Sequence, residues 1–131
     1  MKQFINITSH DLLPKQIKEV NIFLRIEKIT DLPTSLKIIW GNILPKGLLP
    51  IEKLNKIVNW LKETSNEEDY VLIQGDFGAT FYIVDFCFKN NRIPIYATSQ
   101  RLAVEKHKSC DAVEIKRIFE HVNFRVYEQY Q

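Results

Sequence analysis

The chain lacks the cysteine pattern of a disulfide-bonded or zinc-binding protein. Its two cysteines, Cys87 and Cys110, show no CxxC spacing and have no cluster of metal ligands beside them. HExxH and paired-carboxylate motifs are also missing, which disfavours metal catalysis. We therefore expect no metal, no cofactor and no disulfide. Cys87 is predicted to be a buried thiol in an apolar helix, and Cys110 a free, exposed thiol in a polar turn.

Long apolar runs are absent as well. No stretch approaches the roughly 20 apolar residues that a membrane helix needs, and the apolar part of residues 4–8 is too short for a signal peptide. We therefore expect a cytoplasmic protein that does not contact a membrane. Low-complexity segments are also missing. With 131 residues and a hydrophobic fraction of 45%, the sequence predicts one domain over residues 1–131.

An excess of charge of one sign is the third absence. The formal net charge is +2, and the basic residues are spread among acidic ones. Binding of long nucleic acid usually brings a basic patch or stripe, so no long nucleic acid is expected as a partner. A small anion remains compatible with this composition, because a few placed groups are enough to hold it.

Strand and helix signals alternate along most of the chain. Strands are predicted at residues 4–8, within 25–32, at 70–73 and at 93–97. Helices are predicted from about Pro14, from residues 33–35, from Ile51 with a clear amphipathic pattern, and over Phe77–Lys89. This order predicts an α/β fold with a mainly parallel sheet flanked by helices.

The last third of the chain has two readings. Apolar and polar residues alternate over residues 102–107 and again after residues 109–111, and Val122, Phe124 and Val126 alternate as in a strand. This pattern favours a C-terminal β-hairpin. The alternative is a helix, because four other apolar positions share helical spacing: Ala112, Ile115, Phe119 and Val122.

The helix predicted over Phe77–Lys89 is apolar nearly all round. A helix without a polar face is buried on more than one side. One side would cover the sheet, and the other would meet more protein, for which a second subunit is a candidate.

Parallel sheets bind ligands beyond the carboxyl ends of their strands, which selects residues 8–10, 74–80 and 98–101. Glycines in the middle segment would let a ligand approach the backbone, and the following helix N-terminus attracts phosphate. The candidate ligand-binding residues are Ser9, Gln74, Gly75, Phe77, Gly78, Ala79, Thr80 and Thr98. The alternative is a tight strand–helix turn in which Asp76 is the N-cap.

Three side chains are candidates for chemistry. His10 could transfer a proton near neutral pH, or it is a surface histidine in a turn. Arg101 could pair with a phosphate in bidentate fashion, or it is a solvated charge. Asp76 would repel a phosphate placed on the helix terminus, so it caps the helix or contacts ribose hydroxyls.

Several of these segments resemble a known family. The run Tyr70-Val71-Leu72-Ile73-Gln74-Gly75-Asp76-Phe77-Gly78-Ala79-Thr80, followed by residues 93–98, resembles the small Csx-type CRISPR-associated proteins of type III systems. Ser9-His10 and residues 119–125 are similar to that family too. The resemblance covers nearly the full chain, and its most specific part is the run at residues 74–80.

The resemblance implies a Rossmann-like fold similar to CARF domains, which are dimers that sense cyclic oligoadenylates. It implies a homodimer with a cyclic oligoadenylate ligand, and the tetra-adenylate is the expected ring. Some small relatives are ring nucleases that linearise this second messenger and switch off the antiviral response. The implied chemistry is metal-independent: a ribose 2′-hydroxyl attacks the adjacent phosphodiester and leaves a 2′,3′-cyclic phosphate. The catalytic roles of His10, Arg101 and Asp76 stay hypotheses within it.

Three functions follow from these observations. The first is a ring nuclease acting as a phosphodiesterase. The second is a binding protein that sequesters cyclic oligoadenylate without cutting it, and the third is a structural subunit whose glycine turn holds nothing.

Overall fold

Strands and helices alternate along the chain as the sequence predicts. The computed structural model describes residues 2–109 and 112–131, and Cys110 lies outside them. The strands are β1 (Gln3–Ile7), β2 (Lys28–Asp31), β3 (Tyr70–Ile73), β4 (Ile93–Ser109) and β5 (Ala112–Val126). The helices are α1 (Pro14–Lys18), α2 (Thr34–Gly41), α3 (Ile51–Thr64) and α4 (Phe77–Lys89), and a π-helical turn at Glu19–Phe23 follows α1 directly.

The five strands form one sheet in the order β2-β1-β3-β4-β5. The first four strands are parallel to their neighbours, and β5 runs antiparallel to β4. The predicted mainly parallel sheet and the C-terminal hairpin are therefore confirmed. Since β2 and β3 lie on opposite sides of β1, the strand order reverses there. In open α/β sheets a crevice for ligands forms at the carboxyl ends of the strands at such a point.

Both faces of the sheet are covered, which explains the continuous apolar runs of β1 and β3. Alternate residues of each strand point to opposite faces. Ile5, Ile7, Val71 and Ile73 pack with helices α2, α3 and α4 in one core cluster. Phe4, Leu72 and Ile95 pack with Val20 of the π-helical turn and with Ile26 in the other.

Helix α4 buries only one side within this chain. Ala79, Ile83, Val84 and Cys87 are buried, so the prediction of a buried Cys87 is confirmed. On the other side Phe77 and Phe81 are 94% and 74% exposed. The second covering partner thus stays a prediction. No helix in the described ranges is long and apolar enough to cross a membrane.

The hairpin strands are longer than the sequence suggests. The predicted end of the fourth strand at residue 97 is wrong, because β4 pairs with β3 only as far as Ile95 but continues beside β5 to Ser109. Residues 98–101 therefore lie within a strand. Their order comes from pairing with a segment some twenty residues further along, which local patterns do not reveal.

A β-bulge interrupts the hairpin next to the sheet. Thr98 pairs with Asn123 and Ser99 pairs with His121, so Val122 is the extra residue. The predicted strand over this segment is confirmed, and the bulge interrupts the alternation between Val122 and Phe124. Val122 is 54% exposed, whereas His121 is only 8% exposed. A bulge changes the direction of the side chains beyond it. Here it turns His121 toward the interior and leaves Val122 exposed.

Candidate functional site

The carboxyl ends of β1, β3 and β4 open into a cleft of about 470 Å³. The loop before helix α1 forms one wall, and the β4–β5 hairpin forms the other. A volume of this size falls within the range of small-molecule sites. The cleft is lined by Thr8, Ser9, His10, Asp11, Leu12, Leu13, Gln16, Leu72, Gln74, Gly75, Ala97, Thr98, Ser99, Phe119 and His121. Five of the residues selected from the sequence are among them: Ser9, His10, Gln74, Gly75 and Thr98.

Gln74 lies between the two walls and is held by three hydrogen bonds. Its backbone N–H donates to the carbonyl of Ile7 at 3.2 Å, and its carbonyl accepts the Trp40 indole N–H at 2.9 Å. Its side-chain Oε1 accepts the backbone N–H of Ala97 at 3.0 Å. The carboxamide therefore bridges the ends of β3 and β4, and its NH2 group is the part that remains to donate to a ligand.

Gly75 is a glycine for a structural reason that the sequence did not reveal. A Cβ atom placed there would lie 2.8 Å from Nε1 of Trp40 and 2.9 Å from its Cε2. Trp40 is buried and anchored by its hydrogen bond to Gln74. Close approach of the indole thus already accounts for the missing side chain, whether or not a ligand approaches as well.

The backbone around His10 is fixed by a polar network at the end of β1. Thr8 donates through Oγ1 to the His10 carbonyl at 2.8 Å, and Asn6 donates through Nδ2 to the same carbonyl at 3.1 Å. Asn6 also donates to Asp31 Oδ1 at 3.0 Å. The imidazole of His10 itself is exposed on the cleft wall. An anchored backbone with a solvent-accessible ring suits a group that meets a ligand.

The opposite wall is fixed at the bulge. Thr98 Oγ1 lies 2.9 Å from both the backbone carbonyl and the side-chain Oδ1 of Asn123. The hydroxyl proton of Thr98 is therefore used within the hairpin, and the oxygen can only accept a hydrogen bond from a ligand.

The helical part of the predicted turn points elsewhere. Asp76 is the N-cap of α4 and accepts the Ala79 N–H through Oδ2 at 3.0 Å. Ala79 is fully buried, and a Cβ at Gly78 would meet Leu49 at 3.3 Å. Asp76, Gly78 and Ala79 do not line the cleft, and the Ala79 N–H already donates to Asp76. The cap interpretation of Asp76 matches this geometry, and the carboxylate has no place in the cleft.

Phe77 and Thr80 line a second, smaller hollow of about 330 Å³. It lies on the α4 side and shares Gln74 and Gly75 with the cleft, while Tyr96 and Tyr127 complete it. The structure therefore divides the predicted ligand-binding set. Ser9, Gln74, Gly75 and Thr98 gather in the cleft with His10, whereas Phe77 and Thr80 lie behind them.

Arg101 does not line the cleft. Its guanidinium carbon lies 5.1 Å from the ring centroid of Phe119, which is a cation–π distance. Phe119 does line the cleft, and it is 63% exposed. Arg101 thus lies one side chain away from the space that a ligand would fill.

His121 is a cleft residue that the sequence reasoning did not select. Its Nε2 lies 2.7 Å from Glu19 Oε1, and Glu19 Oε2 accepts the backbone N–H of Phe124 at 2.8 Å. No motif flagged this pair, because 102 residues separate its members. The only sequence signal that included His121 was the expected family resemblance over residues 119–125.

The cleft itself carries little charge. Among the residues whose side chains the structure describes, no lysine or arginine lines it, and the Asp11 carboxylate on its wall is ion-paired with Lys37 at 3.3 Å. Within the described part of the chain, no three His, Cys, Asp or Glu side chains gather closely enough to hold a metal ion. An anionic ligand would meet the two histidines, hydroxyls and amide groups.

Comparisons with known proteins identify relatives over nearly the whole chain. The profile of the family described as "Uncharacterized protein MJ1673 family" matches residues 2–125. "Uncharacterized protein MJ1673" from Methanocaldococcus jannaschii is 36% identical over 130 residues, which cover 99% of this chain and 100% of that protein. No solved structure matches the chain. Neither description names a ligand, a partner or a reaction.

Proposed function

Because the chain belongs to the Uncharacterized protein MJ1673 family, whose description names no reaction, we propose a function from the chemistry of the cleft. The protein binds cyclic oligoadenylate, with the tetra-adenylate as the expected ring, and linearises it without a metal ion. It would thereby act as a ring nuclease that ends type III CRISPR signalling, as its resemblance to the small Csx-type proteins implies. A Rossmann-like, CARF-like reading of the fold is part of this proposal.

One observation carries the proposal: segments from three strand ends meet in one cleft. Ser9 and His10 follow β1, Gln74 and Gly75 follow β3, and Thr98 lies on β4 beyond its pairing with β3. The sequence selects these residues separately as ligand contacts. The strand order β2-β1-β3-β4 supports the same location, because ligands of doubly wound sheets bind where the order reverses.

An exposed aromatic ring supports a nucleotide as the ligand. Phe119 lines the cleft with 63% of its surface exposed, and Arg101 backs it at 5.1 Å. Aromatic side chains bind single-stranded bases by stacking. Adenine stacked on Phe119 would bring its sugar and phosphate between the hairpin and the loop that carries His10.

The proposed reaction needs alignment more than strong nucleophiles. The ribose 2′-hydroxyl attacks the adjacent phosphorus, and the bond from phosphorus to the 5′-oxygen breaks, which leaves a 2′,3′-cyclic phosphate. The protein has to hold the attacking and leaving oxygens in line and stabilise the charge on the phosphoryl oxygens. The Gln74 carboxamide suits the second task, which Arg101 would share only by moving from its place beside Phe119, and His10 suits proton transfer.

A homodimer is the proposed assembly. The exposed side of α4 presents Phe77 and Phe81, and Tyr130 beside them is fully exposed. These residues border an apolar hollow of about 510 Å³. Contiguous apolar surface of this kind marks interaction sites, and a two-fold assembly would suit a symmetric ring. A cleft of about 470 Å³ is also smaller than a ring of four nucleotides, so part of the ring would extend beyond one copy of the chain.

Binding without cleavage is the second candidate, and one observation favours it. Of the three predicted catalytic residues only His10 lines the cleft, since Asp76 caps α4 and Arg101 lies behind Phe119. A site with one candidate group could hold the ring without cutting it.

One experiment separates the two. The pure protein is incubated with labelled cyclic tetra-adenylate in EDTA, and ring and linear products are resolved by chromatography. Linear product ending in a 2′,3′-cyclic phosphate supports the ring nuclease. Intact ring that co-elutes with the protein supports sequestration. If the ring is neither bound nor cut, the proposed function fails, and a structural role becomes the better explanation.

A further inference from the structure

The inside wall of the cleft contains a buried imidazole with an unused nitrogen. His121 is 97% buried by side-chain area, which corresponds to 3% exposure. Its Nδ1 is buried and has no hydrogen-bond partner among the described residues. Buried polar atoms are nearly always paired, because an unpaired one costs stability. The orphan Nδ1 is covered in the free protein, so a ligand becomes its partner only if a neighbouring side chain of the cleft wall moves aside.

Glu19 fixes which nitrogen is free. A carboxylate can only accept hydrogen bonds, so the Nε2 that lies 2.7 Å from Glu19 Oε1 must carry the proton. In the neutral ring Nδ1 then has the open lone pair. The second oxygen of Glu19 is held by the Phe124 N–H at 2.8 Å, so the carboxylate cannot rotate away freely.

The ring also has a defined direction. Glu19 lines a different depression, on the outer side of α1, and does not line the cleft. The two nitrogens of an imidazole point in widely different directions. With Nε2 turned toward Glu19, Nδ1 turns away from that outer depression, and His121 is the residue that separates the two spaces.

Two backbone irregularities meet at this pair. Glu19 is the first residue of the π-helical turn, and His121 lies beside the extra residue of the β-bulge. Both kinds of irregularity occur preferentially at functional sites. Without the bulge His121 would face outward, and the wall of the cleft would present a different residue.

We propose that His121, oriented by Glu19, accepts the proton of the attacking 2′-hydroxyl through Nδ1. This rests on the proposed ring nuclease function and names the base for it. The 2′-oxygen forms its bond to phosphorus, its proton moves to Nδ1, and the bond from phosphorus to the 5′-oxygen breaks. The departing 5′-oxygen takes a proton from water, and His121 later returns its proton to solvent. Glu19 is the positioning residue, since it stabilises the imidazolium without touching the ligand.

The test uses His121→Gln in the full-length protein. A glutamine carboxamide nitrogen can replace Nε2 as the donor to Glu19 but cannot take up a proton. Single-turnover linearisation of cyclic tetra-adenylate in EDTA should fall by about 100-fold or more, while the dissociation constant of the ring changes by less than about threefold. Val122→Thr, an exposed and nearly isosteric change on the neighbouring residue, is the matched control and should cut at the wild-type rate.

A pH profile provides the readout that a purely structural role would not change. The wild-type single-turnover rate should rise with pH as the general base loses its proton, and the Gln variant should lose this limb. Other charged or titratable groups on the surrounding elements are Glu19, Lys15, Lys18, Glu120, His10 and Asp11. The same profile measured on His10→Ala separates the two histidines, because the limb should survive there.

The outcomes separate this inference from the function on which it rests. If the wild-type protein cuts and His121→Gln cuts within about threefold of it, the inference is overturned and the ring nuclease stands. If the wild-type protein leaves the ring intact, both fall together. Should the Gln variant fail to fold, the wild-type protein decides by nitrogen NMR. The His121 ring must show protonated Nε2 in the free protein, and its Nδ1 resonance must shift when cyclic tetra-adenylate binds.

Discussion

The contact between Gly75 and Trp40 leads to a sharp prediction about stability. The backbone at Gly75 is not left-handed, so conformation alone would tolerate alanine. The new Cβ would lie 2.8–3.0 Å from three atoms of the Trp40 ring, closer than ordinary carbon contacts. Trp40 is 2% exposed, and its indole N–H is bonded to the Gln74 carbonyl. Gly75→Ala should therefore destabilise the fold even if no ligand ever approaches this turn.

The size of the effect follows from two terms. Overpacking of a well-packed site costs about 1–3 kcal/mol. If the indole moves, it also loses its 2.9 Å hydrogen bond to the Gln74 carbonyl, which contributes about 1 kcal/mol. We expect a loss of about 2–4 kcal/mol in the free energy of unfolding by urea. For a domain of this size that corresponds to a fall in Tm of roughly 10 °C.

A double-mutant cycle tests the cause. In a Trp40→Leu background the clash is gone, so Gly75→Ala should cost less than about 0.5 kcal/mol there. Gly41→Ala is the matched control, because its Cβ would meet Ser9 at an ordinary 3.5 Å. The reasoning is wrong if Gly75→Ala is as stable as the wild type, or if its cost persists undiminished in the Trp40→Leu background.

Three further predictions use other features. Asp76→Ala should lower the free energy of unfolding by about 1 kcal/mol through loss of the α4 cap, while ring cleavage stays at the wild-type rate. If the variant instead keeps its stability and loses cleavage, Asp76 takes part in the reaction. Burial raises the pKa of the Cys87 thiol to about 12 from 9.0, so in a Cys110→Ser background the native thiol should resist Ellman's reagent at pH 8 and react only after unfolding. Because folding raises this pKa, the unfolded thiol ionises at a lower pH than the folded one. The free energy of unfolding measured by urea titration should therefore decline as pH rises from about 9 to about 12. Phe81→Glu should shift sedimentation toward the monomer with little change in Tm, whereas equal sedimentation of variant and wild type would move the proposed interface away from α4.

The parts of the fold that could be predicted from the sequence are those with local causes. The apolar run of β3 and the cap at Asp76 are written in neighbouring residues, and both occur where the sequence places them. The length of β4 could not be predicted, because residues beyond Ile95 are ordered by pairing with β5. Local alternation predicted a hairpin from residue 102 onward, but it did not show that β4 continues without a break from residue 93 to residue 109.

The candidate site shows the same division. The rule that ligands bind at strand ends selected Ser9, His10 and Gln74, which line one cleft. It also selected Gly78, because a glycine in a turn suggests room for a ligand, whereas the neighbour at that position is Leu49. His121 was missed because apolar alternation around it predicts an outward side chain. The bulge reverses that direction, and it cannot be predicted from β5 alone because it is defined by how β5 pairs with β4.

The extra residue in β5 has a consequence for how firmly the hairpin is held in one register. A side chain alternates between faces with a period of two, so a slip of β5 by one residue would turn His121 outward and bring Val122 into its place. Glu19 would then keep a carboxylate that is only 15% exposed without its imidazole partner. A poorly solvated charge that loses its partner is costly, and no valine can replace the hydrogen bond. The Glu19–His121 pair therefore favours the observed register of the β4–β5 hairpin over one shifted by a residue.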